Sequence, residues 1–232
     1  MGNIISKGRR AGLIDWDAIV DRTRNLRGNS HWDDPTEILD SAISSYAIDK
    51  WEGQDNRIEV WVEKDALVDV ISRPASEYDV SYFACRGYPS DSEVHVAAMR
   101  CLRYAAHGQQ LHILHLGDHD PSGLDMTRDL QDRFWLFRQE PTIHRLALNM
   151  EQVEIYSPPP NPAKETDSRF RSYQDEFGDE SWELDALEPQ VIIDLIEEEI
   201  LSLRDEEMYE EREAEQERGR EFLREAKEKY NE

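Results

Sequence analysis

Two aspartates flank a histidine in Gly117-Asp118-His119-Asp120, at the end of the apolar run LHILHL, and the helix-opening Pro121-Ser122-Gly123 follows at once. A second apolar run, IEVWV, leads into Glu63. In an extended strand, residues two apart share a side, so Asp118 and Asp120 can present their carboxylates together. If the two runs are neighbouring parallel strands, Glu63 reaches the same edge, where open α/β sheets place their ligands. Three carboxylates in one spot repel one another and need a cation to stay ionised. Hard oxygen ligands without a supply of cysteine point to Mg²⁺ or Mn²⁺ rather than zinc. In this reading Asp118 and Asp120 hold the ion, and Glu63 shares it or serves as general acid/base.

Such a site needs a parallel sheet, and the chain between 55 and 155 has the rhythm of one. IEVWV is followed by the helical pattern DALVDVIS, and the strand DVSYFACRG by DSEVHVAAMRCLRYAAHG, with Gly108 as its stop. LHILHLGD leads into PSGLDMTRDLQDRFWLFR, and IHRLALN at 143–149 supplies a fourth strand. Near-continuous apolar strands separated by helices predict an α/β fold, a parallel sheet of about four strands covered on both faces. Right-handed crossovers then bring the C-terminal strand ends to one rim.

The flanks read as helical. Residues 1–54 contain AGLIDWDAIVDRTR, with Leu13, Trp16, Ile19 and Val20 at helical spacing behind Asp15 as a cap, and PTEILDSAISSYAIDKW opening at Pro35. Residues 156–200 begin as a proline-rich loop, YSPPPNPAKETDSR. They end in a helix opened by Pro189, with Ile192, Ile193, Leu195, Ile196 and Ile200 on its apolar face. From 201 to 232 the density of charge predicts a long solvated helix.

The strand-end glutamate followed two βα units later by Asp-x-Asp resembles the Toprim domain, the metal-binding α/β module of topoisomerases, primases and certain nucleases. GDHDPSG, preceded by CRGYPS at 85–90, is most similar to the A subunit of type IIB topoisomerases (topoisomerase VI) and to stand-alone Toprim proteins of mobile elements and defence systems. The resemblance covers residues 55 to about 150. It implies Mg²⁺-dependent chemistry on DNA phosphodiester bonds, with Glu63, Asp118 and Asp120 as the catalytic set. It further implies a homodimer and leaves room for a separate winged-helix or ATPase partner. In the family a winged helix bearing a nucleophilic tyrosine precedes the Toprim unit. Here only Tyr46 precedes the block, without a recognisable winged helix around it, so hydrolysis by water is the expected route. The alternative is a non-catalytic component that binds DNA or a partner.

Other residues are candidates by position. Glu183 and Asp185 in WELDAL form a second acidic pair at strand spacing, either a second metal site or the acidic entry to a helix. Lys64 and Arg86 are the basic residues nearest the rim and suit a scissile phosphate; ordinary surface charge is the other reading. Ser122 could donate to phosphate or cap a helix, Asp125 could support the metal, and Lys164 and Arg169 lie on a loop that could clamp substrate. His119 should point away from the carboxylate pair.

Composition sets the bounds. The net charge is −24, from 51 acidic and 27 basic residues, and only 6 of the basic residues are lysine. Nucleic-acid binding ordinarily needs a basic face. Abundant carboxylates with scarce lysine suit a protein living in molar salt, where a solvated acidic surface keeps it in solution and charge repulsion is screened within about 3 Å. A halophilic protein that still meets DNA is the expectation. Two cysteines in apolar settings, no signal sequence and no apolar run near the roughly 20 residues that span a bilayer predict a cytoplasmic protein.

Overall fold

The computed structural model describes residues 2–15 and 31–231. The chain forms two compact units, one of residues 46–221 and a smaller one of residues 1–45 with 222–232. In the smaller unit α1 (Gly2–Arg10) and α2 (Pro35–Ser45) are helical, and Lys227 pairs with Asp40 at 2.5 Å. Residues 11–15 are a turn rather than the start of a helix, and the expected helical positions Trp16, Ile19 and Val20 lie outside the described residues. α2 stops at Ser45 instead of running on to Trp51. Trp51 is buried in the larger unit, where its indole N–H donates to the Tyr78 carbonyl at 2.8 Å. That burial places Trp51 in the core of the larger unit.

The larger unit opens with β1 (Asn56–Val62), a 3₁₀ turn (Asp65–Leu67) and α3 (Val68–Glu77). There follow β2 (Ser81–Ala84), α4 (Asp91–Ala106), β3 (Gln110–Leu116), α5 (Pro121–Leu136) and β4 (Thr142–Ala147). α4 ends where expected, with Gly108 at φ +79°. The four strands make one parallel sheet in the order β2-β1-β3-β4. This is the α/β architecture that the alternating pattern predicts. Val62 lies beside both Ala84 and Leu116, and Leu116 beside Ala147, so the strands finish together at one rim.

Each face of the sheet is covered by its own core. On one, Val60, Val62, Leu114 and Leu116 pack with Ile71 and Ala75 of α3. On the other, Trp61, Leu111 and Ile113 pack with Val94, Ala97 and Cys101 of α4 and Leu130 and Phe134 of α5. Strands buried on both faces are why the sequence reads as continuous apolar runs rather than alternation.

Beyond β4 the chain holds elements that the pattern did not announce. α6 (Met150–Tyr156) starts at a capping box made by Asn149 and Gln152. β5 (Asn161–Pro162) and β6 (Glu180–Ser181) pair antiparallel around α7 (Phe170–Phe177), folding the proline-rich stretch back on itself. A 3₁₀ turn (Leu184–Ala186) leads to α8 (Pro189–Leu203), opened by Pro189 as expected. Ile192, Ile196 and Ile200 complete the α3 face. α9 (Glu206–Asn231) is the long charged helix. Among the described residues no helix is long and apolar enough to cross a membrane.

Candidate metal centre

Glu63 stands one residue beyond β1. Its N–H donates to the Leu116 carbonyl at 2.8 Å, and its own carbonyl accepts from Gly87 at 3.3 Å, so chain on either side fixes it. Gly117 continues the ladder past β3, donating to Ala147 at 2.8 Å and accepting from Leu148 at 2.8 Å. These bonds bring the two acidic positions together: Glu63 Oε2 accepts the Asp118 N–H at 3.1 Å.

Glu183 and Asp185 arrive from far along the chain. His119 and Trp182 exchange backbone hydrogen bonds of 2.8 and 3.0 Å in an isolated antiparallel bridge. The Leu184 N–H then donates to Asp118 Oδ1 at 2.7 Å. As a result Asp118, Glu183 and Asp185 each offer an oxygen, all within 4.8 Å of one another. Asp118 is buried, Glu183 half-buried and Asp185 exposed, and the trio could bind a metal ion. The pair expected to form a second site therefore joins the first aspartate.

Asp120 has a different partner. It is the N-cap of α5, its side chain accepting the Gly123 N–H at 2.6 Å, with Pro121 at the first helical position. The first turn of a helix leaves N–H groups without acceptors, and a capping carboxylate satisfies one of them. The structure thus groups Asp118 with Glu183 and Asp185, while Asp120 caps α5 close enough for its charge to act on Glu63 and Arg145. The His119 ring sits among Tyr173, Phe177 and Trp182, with Nδ1 2.9 Å from the Tyr173 hydroxyl.

The expected phosphate ligands are largely engaged elsewhere. The Lys64 ammonium lies 2.9 Å from Asp185 and 3.2 Å from Asp118, and pairs also with Glu183. Arg86 is exposed and pairs with Asp65 at 3.1 Å. Arg169 pairs with Asp125 at 3.0 Å and Asp167 at 3.1 Å, and its guanidinium lies over the Tyr88 ring. Asp125 also accepts the Tyr88 hydroxyl at 2.7 Å, which ties it to this cluster rather than to the carboxylate trio. Ser122 is half-buried in the first turn of α5, and Lys164 is exposed.

One residue was missed by the sequence reading. Arg145 of β4 donates to the carbonyls of Gly117 (3.3 Å), Asp118 (2.6 Å), Gly123 (2.9 Å) and Leu148 (3.2 Å), and to the Thr127 hydroxyl at 3.0 Å. It clamps the turn that carries Asp118. The available signal was an arginine in the middle of a strand, where burial demands acceptors.

The electrostatics follow from five carboxylates gathered around two cations. Burial, and then the charges of Asp118 and Asp120, push the Glu63 carboxyl up to about 7. Burial also holds Asp118 above its usual value, against the opposing pull of the Leu184 N–H and Lys64. Burial disfavours the Lys64 ammonium, but Glu183, Asp185 and Asp118 outweigh it and raise its pKa. Arg145 is brought down to about 10 by burial, with Glu63, Asp120 and Asp118 opposing.

A stability prediction follows from Glu63. Its folded pKa of about 7 exceeds the ordinary 4.5, so the folded state holds a proton that the unfolded chain releases. The stabilisation is complete below 4.5 and is lost as pH rises through 7. Metal-free thermal melts should show wild type losing ground to Glu63→Gln as pH rises across that window. Parallel curves would contradict the burial argument. In comparisons with known proteins, no family model, no curated protein and no solved structure matches this chain.

Proposed function

We propose that the chain is a stand-alone Toprim-type protein, resembling the A subunit of type IIB topoisomerases, that binds Mg²⁺ or Mn²⁺ and acts on DNA phosphodiester bonds, most simply as a nuclease. The observation that carries this reading is the convergence of Asp118, Glu183 and Asp185 at the C-terminal rim of a parallel sheet, where such folds bind their ligands. Five carboxylates against two cations leave the site short of positive charge, which suits a divalent ion. When bound, that ion would supply Lewis-acid polarisation of a phosphoryl oxygen. Glu63, with its pKa near neutrality, is suited to take a proton from an attacking water or return one to a leaving oxygen. Arg145 keeps the Asp118 turn in place while this happens.

A second reading has its own support. Lys64, Arg86 and Arg169 are each paired with carboxylates, which favours a non-catalytic component whose DNA contacts come from a partner, such as a separate winged-helix or ATPase subunit, or from a second copy. Incubation with supercoiled plasmid in Mg²⁺ or Mn²⁺ across a KCl series separates the two. Metal-dependent nicking lost in both Glu63→Ala and Asp118→Ala is the expected result; metal binding without nicking at any salt favours the second.

The acidic, lysine-poor composition belongs to the same proposal, as an adaptation to molar salt. The melting temperature should climb as KCl rises from about 0.2 M to about 2 M, because close carboxylates are screened from one another. A melting temperature indifferent to KCl would remove the halophilic reading.

A further inference from the structure

Two cations serve the carboxylate site, and they are held in opposite ways. Arg145 is fastened by backbone carbonyls and a threonine hydroxyl on three sides, so it cannot leave without dismantling the turn. Among the described residues the Lys64 ammonium has carboxylates alone for partners: Asp118, Glu183 and Asp185. These are the same three residues whose oxygens converge within 4.8 Å. Its side chain retains 21% exposure, and those of Glu183 and Asp185 retain 47%, so an outward path is open. A lysine stem is four flexible methylenes long, and its ammonium is a point charge without a preferred fork geometry.

We propose that Lys64 is an exchangeable counter-ion: its ammonium gathers the three carboxylates until a divalent cation displaces it, and the displaced ammonium then faces the anion that the cation brings. This inference rests on the metal centre proposed above. The exchange has a direction. One positive charge is replaced by two in a site where carboxylates outnumber cations, whereas keeping both would set like charges against each other inside one cluster. Metal arrival and exposure of a phosphate-seeking lysine become a single event, so the centre would present no free cation to DNA until it is loaded.

The test reads binding rather than cleavage. Mn²⁺ affinity is measured from the electron paramagnetic resonance of the free ion for wild type, Lys64→Met and Lys64→Arg. In parallel, wild type is reductively methylated with and without Mn²⁺, and mass spectrometry follows Lys64 against the other lysines. The expected result is Mn²⁺ affinity about tenfold tighter in Lys64→Met, near-wild-type affinity in Lys64→Arg, and a rise in Lys64 methylation specific to Mn²⁺. Mn²⁺ bound equally well by wild type and Lys64→Met, with Lys64 methylation unchanged, would overturn the exchange and leave the metal centre standing. Failure of Mn²⁺ to bind either protein would remove the metal centre itself and the exchange with it. The labelling arm uses the wild-type chain, so a poorly folded variant does not spare the proposal.

Discussion

Asp118→Asn is expected to abolish divalent-ion binding and any metal-dependent cleavage while leaving the fold in place. Asp118 is the only buried member of the trio, and its Oδ1 receives both the Leu184 N–H at 2.7 Å and the Lys64 ammonium at 3.2 Å. Asparagine keeps an oxygen for the Leu184 N–H and removes the charge. Loss of a partner one layer out from a metal already costs about 10–100-fold in affinity, and loss of a central ligand's charge should cost at least that. Asp118→Ala should behave differently, because it leaves a buried N–H without an acceptor, at about 1–3 kcal/mol. Mn²⁺ titration and thermal melts of the two variants separate charge from structure. Unchanged Mn²⁺ affinity in Asp118→Asn would place any ion elsewhere.

Gly123→Ala should cost more stability than any surface change near the site. A Cβ at this position would lie well inside van der Waals contact with the Asp118 carbonyl oxygen, and 3.0 and 3.3 Å from the carbonyl carbon and nitrogen of the same residue. These are backbone atoms, so no side chain can swing aside. The first turn of α5 would have to move away from the Asp118 turn. That strains the Asp120 cap at 2.6 Å and the Arg145 bond to the Gly123 carbonyl at 2.9 Å. Overpacking of this kind costs about 3 kcal/mol, which lowers the melting temperature of a chain this size by roughly 6–12 °C. Mn²⁺ affinity should fall together with stability, since one turn serves both. A variant that melts like wild type would contradict the close packing of α5 on the Asp118 turn.

The sheet was legible because its central strands β1 and β3 are buried on both faces and because α4 and α5 carry their own punctuation, at Gly108 and Pro121. Glu63 and Asp118 were legible because both stand where an apolar run stops. Asp120 shows the limit of a local rule. Spacing of two puts both aspartates on one side of an extended chain, but the helix opening at Pro121 offers an N–H group that needs an acceptor, and Asp120 supplies it. The partnership of Asp118 with Glu183 and Asp185 depends on the bridge between His119 and Trp182, a pairing set by tertiary folding that no short spacing encodes. Arg145 was visible as an oddity in its strand, yet its acceptors come from three separate turns. Lys64 was placed near the rim correctly, and only the fold reveals that carboxylates surround it.

The most direct measurement is an anomalous difference map from crystals grown with Mn²⁺ and no other divalent ion. The account predicts a strong peak about 2.0–2.6 Å from Asp118 Oδ1 and from a carboxylate oxygen of Glu183 or Asp185, the range for hard cations on oxygen ligands. A map with no peak among these three residues at saturating Mn²⁺, or with its peak held by other side chains, would contradict it.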